Sequence, residues 1–294
     1  MQKVAVITDS SSYLTDEQLK ENNIYVIPDP IIFGNKVVHD IDYKNDNYHK
    51  FFEEVEEISP ELPTTSQPAP TDILDVFNQV KDDGYPQAIV VVLSQGISGT
   101  YSTVNNLASD FEGLDITVWN SQTAGLGSGN QAVYASLLSK KGFSKEEIIN
   151  KLDILRGSTN TLIVVDSIKH LQRTGRIGSG QAMLAGMLNI KPILSFVDEK
   201  VIAIGKARRM SGAWQFIETK LKKAVEQSSL PMRVDIIDTE NRELSDQWAN
   251  TIHSLWPDIE VSQGIVSPFI AVHTGPKAIG FFFSYDYKKL LGNL

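Results

Sequence analysis

The stretch AIVVVLSQGISGTYS, residues 88–102, decides the fold class of this chain. Its first part is a continuous apolar run rich in β-branched side chains, which is typical of a strand buried on both faces of a parallel sheet. A polar loop with Gly96 and Gly99 follows, and a helix is predicted after Gly99. A strand, a glycine-containing loop and a helix in this order indicate an α/β fold.

The same alternation extends on both sides of this stretch. Further strands are predicted at KVAVIT (3–8), DITVWNS (115–121) and TLIVVDS (161–167), and helices at 14–20, 48–58, 71–81, 131–139 and 145–155. The segment 24–34 is apolar but is interrupted by Pro28 and Pro30, which favours short strands over one long strand. Strands and helices at this spacing predict a parallel sheet with helices on both faces.

The second half of the chain has a different pattern. A basic, glycine-rich connection (171–180) is followed by predicted helices at 181–188, 213–226 and 243–255, a hairpin over 192–205, and strands at 233–238, 258–264 and 278–285. We therefore predict two domains. Residues 1–168 are predicted to form an N-terminal parallel-sheet α/β domain. Residues 169–294 are predicted to form a C-terminal α/β domain with a mixed sheet. The last strand of the chain could return to the first domain.

Composition excludes several classes of protein. The chain has 294 residues, of which 41% are apolar and 21% charged, so it can form a sizeable core. A net charge of −9 argues against a nucleic-acid-binding protein. The chain has no cysteine, which excludes disulfides, thiolate metal sites and a cysteine nucleophile. The histidines show no metal-binding spacing, so no metal site is predicted.

The N-terminal sequence and the hydropathy pattern indicate a location for the protein. The apolar run in MQKVAVITDSSS is too short for a signal peptide. No stretch reaches the length of a membrane-spanning helix. We therefore expect a soluble, cytoplasmic protein. A transient contact with a membrane surface is compatible with this expectation.

Polar residues follow the predicted strand ends, where open parallel sheets bind their ligands. They are TDSSS (8–12), SQGISGTYS (94–102), NSQTAGLGSG (120–129) and Asp166-Ser167. Ser98 lies near the predicted start of a helix, where free N–H groups and the helix dipole favour a carboxylate or phosphate. The same position also suits an ordinary helix-capping serine.

Three further segments carry candidate binding residues. PTTSQPAP (63–70) holds hydroxyls between stiffening prolines, which suits either a polar cup for a ligand or a turn that leads into a helix. His273 in AVHTGPKAIG (271–280) could donate a hydrogen bond to an anion or be an ordinary buried histidine. A basic set suits either an acidic partner or solvated surface. Its members are Lys169, Arg173, Arg176, Lys206, Arg208 and Arg209.

These motifs together resemble the DegV family, the fatty-acid-binding proteins of bacteria. The matching motifs are VITDSSS (6–12), TSQPAP (65–70), SGTYS (98–102), GRIG (175–178), KPIL (191–194) and HTGP (273–276). They occur in the family's order and span essentially the whole chain. Each motif is weak alone, but the ordered set is specific.

The resemblance implies a two-domain carrier, without catalysis or a cofactor of its own, that holds a long-chain fatty acid between its domains. By this resemblance the carboxylate is bound by Thr65, Ser66, Ser98 and His273, with Gly99 and Thr274 in support. The acyl tail would occupy an apolar tunnel, for which residues 180–190 offer small side chains with Met183 and Met187. The resemblance also implies a partner fatty-acid kinase, docked by Arg176 and Arg208, that phosphorylates the bound acid.

Three positions depart from the family pattern. Ala69 stands where a serine often follows the proline, which would remove one hydrogen bond. Thr174 stands where glycine is usual, beside the expected docking Arg176. Lys277 stands where glycine is common and brings a long cationic side chain next to the HTGP motif.

Three other functions remain compatible with the residues. The serines, His273 and either Asp9 or Asp166 could form a hydrolase triad for acyl esters, although no GxSxG motif is present. Nucleotide binding would need a phosphate loop, and neither GxGxxG nor GxxxxGK[ST] occurs. The third alternative is a purely structural or regulatory protein.

Overall fold

The structure is a computed structural model that describes residues 4–44, 48–58, 62–178 and 190–292. By its internal contacts the chain divides into two compact units. The first unit contains Met1–Ile154 together with Ser267–Val272, and the second contains Leu155–Val266 together with His273–Leu294. The chain therefore returns briefly to the first unit after most of the second has been traced.

In chain order the strands are β1 (Val4–Asp9), β2 (Ile24–Ile27), β3 (Pro30–Phe33), β4 (Lys36–His39), β5 (Thr64–Thr65), β6 (Gln87–Val92), β7 (Asp115–Asn120), β8 (Asn160–Val164), β9 (Lys191–Val197), β10 (Lys200–Ala207), β11 (Met232–Asp238), β12 (Glu260–Ile265) and β13 (Ile279–Tyr285). The α-helices are α1 (Asp16–Asn22), α2 (Tyr48–Glu57), α3 (Pro70–Asp82), α4 (Thr100–Asp110), α5 (Leu126–Lys140), α6 (Lys145–Ser158), α7 (Lys169–Arg173), α8 (Met210–Gln227), α9 (Arg242–Leu255), α10 (Pro268–Thr274) and α11 (Tyr287–Gly292). Short 3₁₀ turns span Ser10–Ser12 and Asp40–Tyr43.

The first unit is built on the predicted parallel sheet. Its strand order is β2-β1-β6-β7, and all three pairings are parallel. The strands β1 and β6 are buried over almost their whole length, because helices cover both faces of the sheet. The prediction of a parallel-sheet α/β domain is therefore confirmed.

Helix α5 is longer than the sequence predicts. It begins at Leu126 rather than at residue 131, and most of its residues are buried. In the sequence, the Gly-Ser-Gly stretch at the start of this helix is typical of a loop. In the structure the stretch is helical, and Gly129 lets the helix lie close to Ser12 and Leu14. A Cβ at this position would lie 3.3 Å from the carbonyl oxygen of Ser12 and 3.0 Å from the side chain of Leu14.

A small antiparallel sheet in the first unit was only partly predicted. Its strand order is β4-β3-β5, with β3 in the centre. Strand β3 belongs to the apolar segment in which short strands were expected. Strands β4 and β5 are too short to give a periodic signal. The pairing of Ile31 with Thr65 places the candidate threonine on a sheet rather than on a free loop.

The second unit contains the predicted mixed sheet. Its strand order is β10-β9-β8-β13-β11-β12, in which only the pair β11 and β12 is parallel. The core of this unit lies between the sheet and the helices α8 and α9. It includes Phe281 of β13, Ile217 of α8 and Trp248 of α9. The predicted helix at 181–188 lies outside the described residues.

Strand β8 is where the structure differs from the sequence prediction. Residues 161–167 were expected to extend the N-terminal parallel sheet, but β8 pairs antiparallel with both β13 and β9. The division between units accordingly falls at 154/155 rather than at 168/169. The last strand, β13, stays in the second sheet, and residues 267–272 are the part that returns to the first unit.

Candidate functional site

The TSQP loop, residues 65–68, is fixed at both ends. Thr65 pairs with Ile31 through β5, and helix α3 begins shortly after the loop, at Pro70. Thr65 and Ser66 are half-buried, whereas Pro68 is buried. The two hydroxyls are therefore held on a short, stiff segment that remains partly open to solvent.

The second loop is SGT, residues 98–100, at the start of α4. Gly99 is the N-cap residue, and Ser98 precedes it. The Ser98 hydroxyl lies 2.8 Å from the Thr100 hydroxyl and accepts a hydrogen bond from the Thr100 N–H at 3.2 Å. Ser98 thus has part of the capping role that the sequence allowed, and it lies at the positive end of the helix dipole.

The structure brings the TSQP loop and the SGT loop together within the first unit. A Cβ on Gly99 would lie 3.3 Å from Oε1 of Gln67, so a larger residue would crowd the amide of Gln67. With a Cβ at position 99, the end of the Gln67 side chain would have to shift by a few tenths of an ångström. Sequence reasoning did not single out Gln67, because nothing in a lone glutamine indicates a contact some thirty residues away.

His273 and Thr274 occupy the last turn of α10 and belong to the second unit. Both residues are buried. Burial lowers the pKa of His273 to about 3, and the positive charges of Arg176 and Arg173 and the neighbouring His170 act in the same direction. The imidazole is therefore neutral near pH 7, a state in which one ring N–H can donate to an anion. The sequence alone did not predict whether the imidazole of His273 is neutral or protonated.

His170 is a residue of this region that sequence reasoning missed. Its ring lies against Gly275, which adopts a positive φ of 72°. A Cβ at position 275 would lie only 2.6 Å from Cδ2 of His170. Gly275 is therefore needed both for its backbone conformation and for the space taken by His170.

The two arginines expected to dock a partner have different surroundings. Arg176 donates from Nη1 to the carbonyl oxygen of Thr174 at 2.6 Å, and its charge acts on His273. Arg208 is exposed in the loop between β10 and α8. The segment that follows Arg176 attaches to β10 through the N–H of Gly178 and the carbonyl oxygen of Val201. Arg208 follows the opposite end of that strand, roughly 20 Å further along it.

Two of the polar strand ends are engaged in internal contacts. The TDSSS segment is buried and bonds to the carboxyl groups of Asp29 and Asp40. Asp166 forms an ion pair with Lys191. These residues therefore differ from the half-buried donors of the TSQP and SGT loops.

The segment 180–190, expected to line the acyl tunnel, lies outside the described residues except for residue 190. Two surface hollows of about 410 Å³ and 620 Å³ contain none of the predicted binding residues. Within the described ranges there is no cluster of three or more His, Cys, Asp or Glu residues suited to a metal ion. No described helix is both long enough and apolar enough to span a membrane.

Comparison with known proteins identifies the family. A sequence model of the DegV family matches residues 3–286. The chain belongs to the DegV family. A DegV domain-containing protein of Listeria innocua is 30% identical over 284 residues, which cover 96% of this chain and 99% of the relative.

Solved DegV structures share the fold. The crystal structure of DegV from Bacillus subtilis, described as a fatty acid binding protein, superposes with a TM-score of 0.87 at 29% identity, over 97% of this chain and 100% of the other. A DegV family protein from Thermus thermophilus, whose structure concerns fatty acid binding, superposes with a TM-score of 0.88 at 26% identity, over 96% and 99% of the two chains. The predicted family and its two-domain α/β fold are thus confirmed.

Two of the departures from the DegV pattern replace glycine, and they differ in their backbone. Lys277 has a φ of 58°, in the left-handed region that favours glycine, and its side chain is exposed. Thr174 has a φ of −89°, which suits any residue, and its hydroxyl donates to the carbonyl oxygen of His170 at 2.9 Å. The threonine is therefore unstrained, whereas the lysine is strained.

The third departure, Ala69, is the N-cap residue of α3. Its backbone is extended, with φ −66° and ψ 144°, and it makes no side-chain capping bond. A serine in this conformation could accept a hydrogen bond from the first turn of the helix. The hydrogen bond that Ala69 was expected to remove could therefore be a capping bond to the start of α3.

Proposed function

We propose that this DegV-family protein binds a long-chain fatty acid and presents it to a partner kinase, with no catalysis of its own. Thr65, Ser66, Ser98 and His273 would hold the carboxylate, with Gly99 and Thr274 in support. The observation that carries the proposal is the meeting of the TSQP and SGT loops at the N-terminus of α4. The similar Bacillus subtilis and Thermus thermophilus proteins, which are described by their fatty-acid binding, support the choice of ligand.

The donor chemistry suits a carboxylate that is transferred from water into a protein. A chain of about sixteen carbons offers on the order of 10 kcal/mol from burial at roughly 0.8 kcal/mol per CH₂, before ordering costs. This apolar contribution gives affinity but no orientation. An unpaired buried carboxylate would cost several kcal/mol, so it needs converging donors. Hydroxyls, a neutral imidazole and a helix N-terminus are such donors, and none of them repels an anion.

The kinase part of the proposal comes from the family resemblance, and the donor set is compatible with it. Donors without a full charge leave the carboxylate oxygen nucleophilic enough to attack the terminal phosphorus of a nucleoside triphosphate. An acyl-phosphate forms and the nucleoside diphosphate leaves. The chain has no phosphate-loop motif, so the partner would supply the nucleotide site. Arg176 and Arg208 are the proposed docking residues.

The arrangement gives no support to the hydrolase alternative. The Ser98 hydroxyl pairs with Thr100, Asp166 pairs with Lys191, and Asp9 bonds to Ser11 and Leu93. A triad needs the serine bonded to a histidine and the histidine bonded to the acid. Ester turnover that is lost in Ser98→Ala would nevertheless contradict the carrier proposal.

The first test is mass spectrometry of the lipid released from the purified protein by organic solvent. The proposal predicts one long-chain fatty acid per chain. A protein that carries no fatty acid and takes up none when palmitate or oleate is added would overturn the proposal.

The second test concerns the donors. We expect Thr65→Val and Ser98→Ala each to weaken fatty-acid affinity about tenfold, because each leaves a buried charge with one donor fewer. Ser109→Ala, on the exposed face of the same helix α4, is the matched control and should bind as the wild type does. Unchanged affinity in both donor variants would remove these residues from the site.

The docking residues are tested separately from lipid binding. Arg208→Ala should reduce acyl-phosphate formation by a fatty-acid kinase while fatty-acid affinity stays unchanged, since Arg208 is exposed and lies outside the donor groups. Arg176→Ala should change both, because its charge acts on His273. Equal phosphorylation of the wild type and Arg208→Ala would eliminate the proposed docking role of Arg208.

A further inference from the structure

The β3–β4 hairpin of the first unit is attached to the Ser10 turn at both of its ends. Asp29 precedes β3 and Asp40 follows β4, and the N–H of Asp40 donates to the carbonyl oxygen of Asp29 at 3.1 Å. The Ser10 hydroxyl lies 3.2 Å from Oδ2 of Asp29, bonds to Oδ1 of Asp40, and accepts from the N–H of Asp29 at 2.7 Å. One serine therefore closes the base of the hairpin.

A third carboxyl group, Asp9 at the end of β1, completes this arrangement. It accepts from the N–H of Leu93 at 2.6 Å, from the N–H of Ser11 at 3.1 Å and from the Ser11 hydroxyl. The N–H of Ser11 also donates to Oδ2 of Asp29 at 2.8 Å. We call Asp9, Asp29 and Asp40 the carboxyl cluster; all three residues are fully buried.

The carboxyl cluster has too few hydrogen-bond donors for three ionised groups. The single hydroxyl proton of Ser10 can serve Asp29 or Asp40, but not both. Oδ1 of Asp29 and Oδ2 of Asp40 have no hydrogen-bond partner among the described residues. Three buried negative charges with so few donors would cost many kcal/mol, so at least one carboxyl group must keep its proton.

The charged and titratable groups that face the carboxyl cluster do not neutralise it. Lys44 is the cation that acts on Asp40, but its Nζ is 2.9 Å from Oδ1 of Asp16 and 3.2 Å from the carbonyl oxygen of Leu14. The phenol of Tyr13 also faces Asp40, and Asp16 adds negative charge nearby. Lys44, the cation named here, is therefore already shared with Asp16 and the Leu14 carbonyl oxygen.

The pKa values of the cluster agree with a retained proton. Burial raises the pKa of Asp9 to about 6, although hydrogen bonds from Ser11 and Leu93 and a hydrogen bond with the Asp29 side chain oppose the rise. Burial raises the pKa of Asp40 to about 7, and hydrogen bonding from Ser10 opposes the rise. Burial and the charges of the other two aspartates raise the pKa of Asp29 well above its usual value.

The carboxyl cluster is connected to the proposed fatty-acid site by strand pairing. Strand β3, which Asp29 holds at its start, pairs with β5 through Ile31 to Thr65 and Ile32 to Thr64. We infer that Asp9, Asp29 and Asp40 share a proton, and that this shared proton keeps the β3–β4 hairpin and Thr65 in position. These aspartates are positioning residues, and the hairpin loosens as the cluster ionises. The ligand part of this inference rests on the proposed function.

The first experiment uses the lipid-free full chain. Asp29→Asn replaces the protonated carboxyl group by a neutral isostere whose NH₂ can still donate to Asp9. We expect the exchange protection of the amides in β3, β4 and β5 to fall about tenfold in the wild type between about pH 5 and about pH 8, and to stay constant in Asp29→Asn. Asp75→Asn, exposed on α3, should behave as the wild type does.

Identical pH dependence in the wild type and Asp29→Asn, or none in the wild type, would overturn the inference. Asp40→Asn provides a second variant if Asp29→Asn does not fold. Infrared spectroscopy provides a readout that a merely structural role would not move. The wild type at pH 7 should show a protonated carboxyl band that is lost or reduced in either variant, and the absence of this band from the wild type would exclude the shared proton.

Fatty-acid affinity then separates this inference from the proposed function. Between about pH 6 and about pH 8, palmitate affinity should fall about tenfold further in the wild type than in Asp29→Asn. A pH-dependent hairpin in a protein that binds no fatty acid would leave the shared proton standing and overturn the proposed function. A protein that binds fatty acid but whose hairpin does not respond to pH would support the proposed function and overturn the shared proton.

Discussion

The two units stabilise buried carboxylates in opposite ways. In the first unit, the carboxyl cluster combines three aspartates with serine hydroxyls, backbone N–H groups and a retained proton. In the second unit, Asp235 on β11 faces the guanidinium of Arg233 two residues earlier, and both side chains are buried. The comparison shows that burial of an acid does not by itself dictate how the acid is neutralised.

The Arg233–Asp235 pair is joined by two direct hydrogen bonds, while Nη1 of Arg233 has no hydrogen-bond partner among the described residues. Nε and Nη2 of Arg233 donate to the two carboxylate oxygens at 3.2 and 2.6 Å. Ser262 donates to the same carboxylate, and the guanidinium lies 4.6 Å from the ring centre of Tyr287. Burial opposes the charge on Arg233, but the charge and hydrogen bonds of Asp235 outweigh burial and raise the pKa of Arg233. Arg233 therefore keeps its positive charge throughout the physiological pH range.

The difference predicts different responses to pH. A buried arginine with a raised pKa keeps its charge near neutrality, so the Arg233–Asp235 pair should hold β11 equally well at pH 5 and at pH 8. A carboxyl cluster that keeps a proton titrates in this range. The carboxyl cluster should therefore respond to pH more strongly than the Arg233–Asp235 pair.

The largest effect is expected from breaking the ion pair. Asp235→Asn leaves the Arg233 charge buried without its partner and should lower the free energy of unfolding by about 3–5 kcal/mol, as measured by urea denaturation near pH 7. The double variant Arg233→Met/Asp235→Leu removes both charges and should lose much less. If Asp235→Asn lost under about 1 kcal/mol, the pair would not be the tightly coupled element described here.

The next effect concerns stability as a function of pH. The folded-state pKa values of Asp9 and Asp40, about 6 and about 7, lie above the ordinary value of 3.8. The folded state therefore binds more protons than the unfolded state, and stability should fall as the pH rises from about 4 to about 7, by on the order of a few kcal/mol.

Urea denaturation at several pH values checks this prediction. Asp40→Asn should make the decline shallower, because one of the groups that titrate is gone. Arg233→Met/Asp235→Leu should retain the wild-type decline. If the decline disappeared in the double variant instead, the pH sensitivity would belong to the Arg233–Asp235 pair, and the prediction would be wrong.

A smaller effect on the first unit is expected at the start of α3. Ala69→Ser supplies the missing N-cap hydroxyl and should raise the free energy of unfolding by about 1 kcal/mol at every pH. Ala69→Val is the matched control, since valine offers no capping group. If Ala69→Ser left the stability unchanged but raised the fatty-acid affinity, the serine of other family members would contact the ligand instead of capping the helix.

The smallest effects are expected at the two glycine departures in the second unit. Lys277→Gly relieves a left-handed backbone but adds chain entropy to the unfolded state, so the net gain should be about 0–1 kcal/mol. Thr174→Gly has no strain to relieve and removes the bond to His170, so it should lose about 1 kcal/mol. Thermal unfolding of both variants checks the pair, and effects of the same sign would contradict the backbone argument.

The fold class could be predicted because β1 and β6 are continuous apolar runs with helices at regular spacing. The assignment of β8 was wrong for the same reason: a strand buried on both faces has the same composition in a parallel and in a mixed sheet. Its antiparallel neighbours, β9 and β13, lie 27 or more residues away in sequence, and local pattern does not report pairing at that separation.

The candidate donors were predictable from the motifs, whereas their surroundings were not. Thr65, Ser98 and His273 stand in recognisable segments, and their roles stay predictions. Gln67 and His170 matter through contacts with glycines that are far away in sequence. Asp29 and Asp40 look like ordinary turn residues beside short strands, and only the folded chain shows that they converge on Ser10.

The return of residues 267–272 to the first unit has a consequence for synthesis on the ribosome. The N-terminal unit lacks one of its segments until residue 272 has been translated, after the whole of 155–266. At about 5–20 residues per second, those roughly 110 residues take on the order of 6–20 s. During that interval the nascent first unit is incomplete, and chaperones have time to act on it before the chain supplies its last piece.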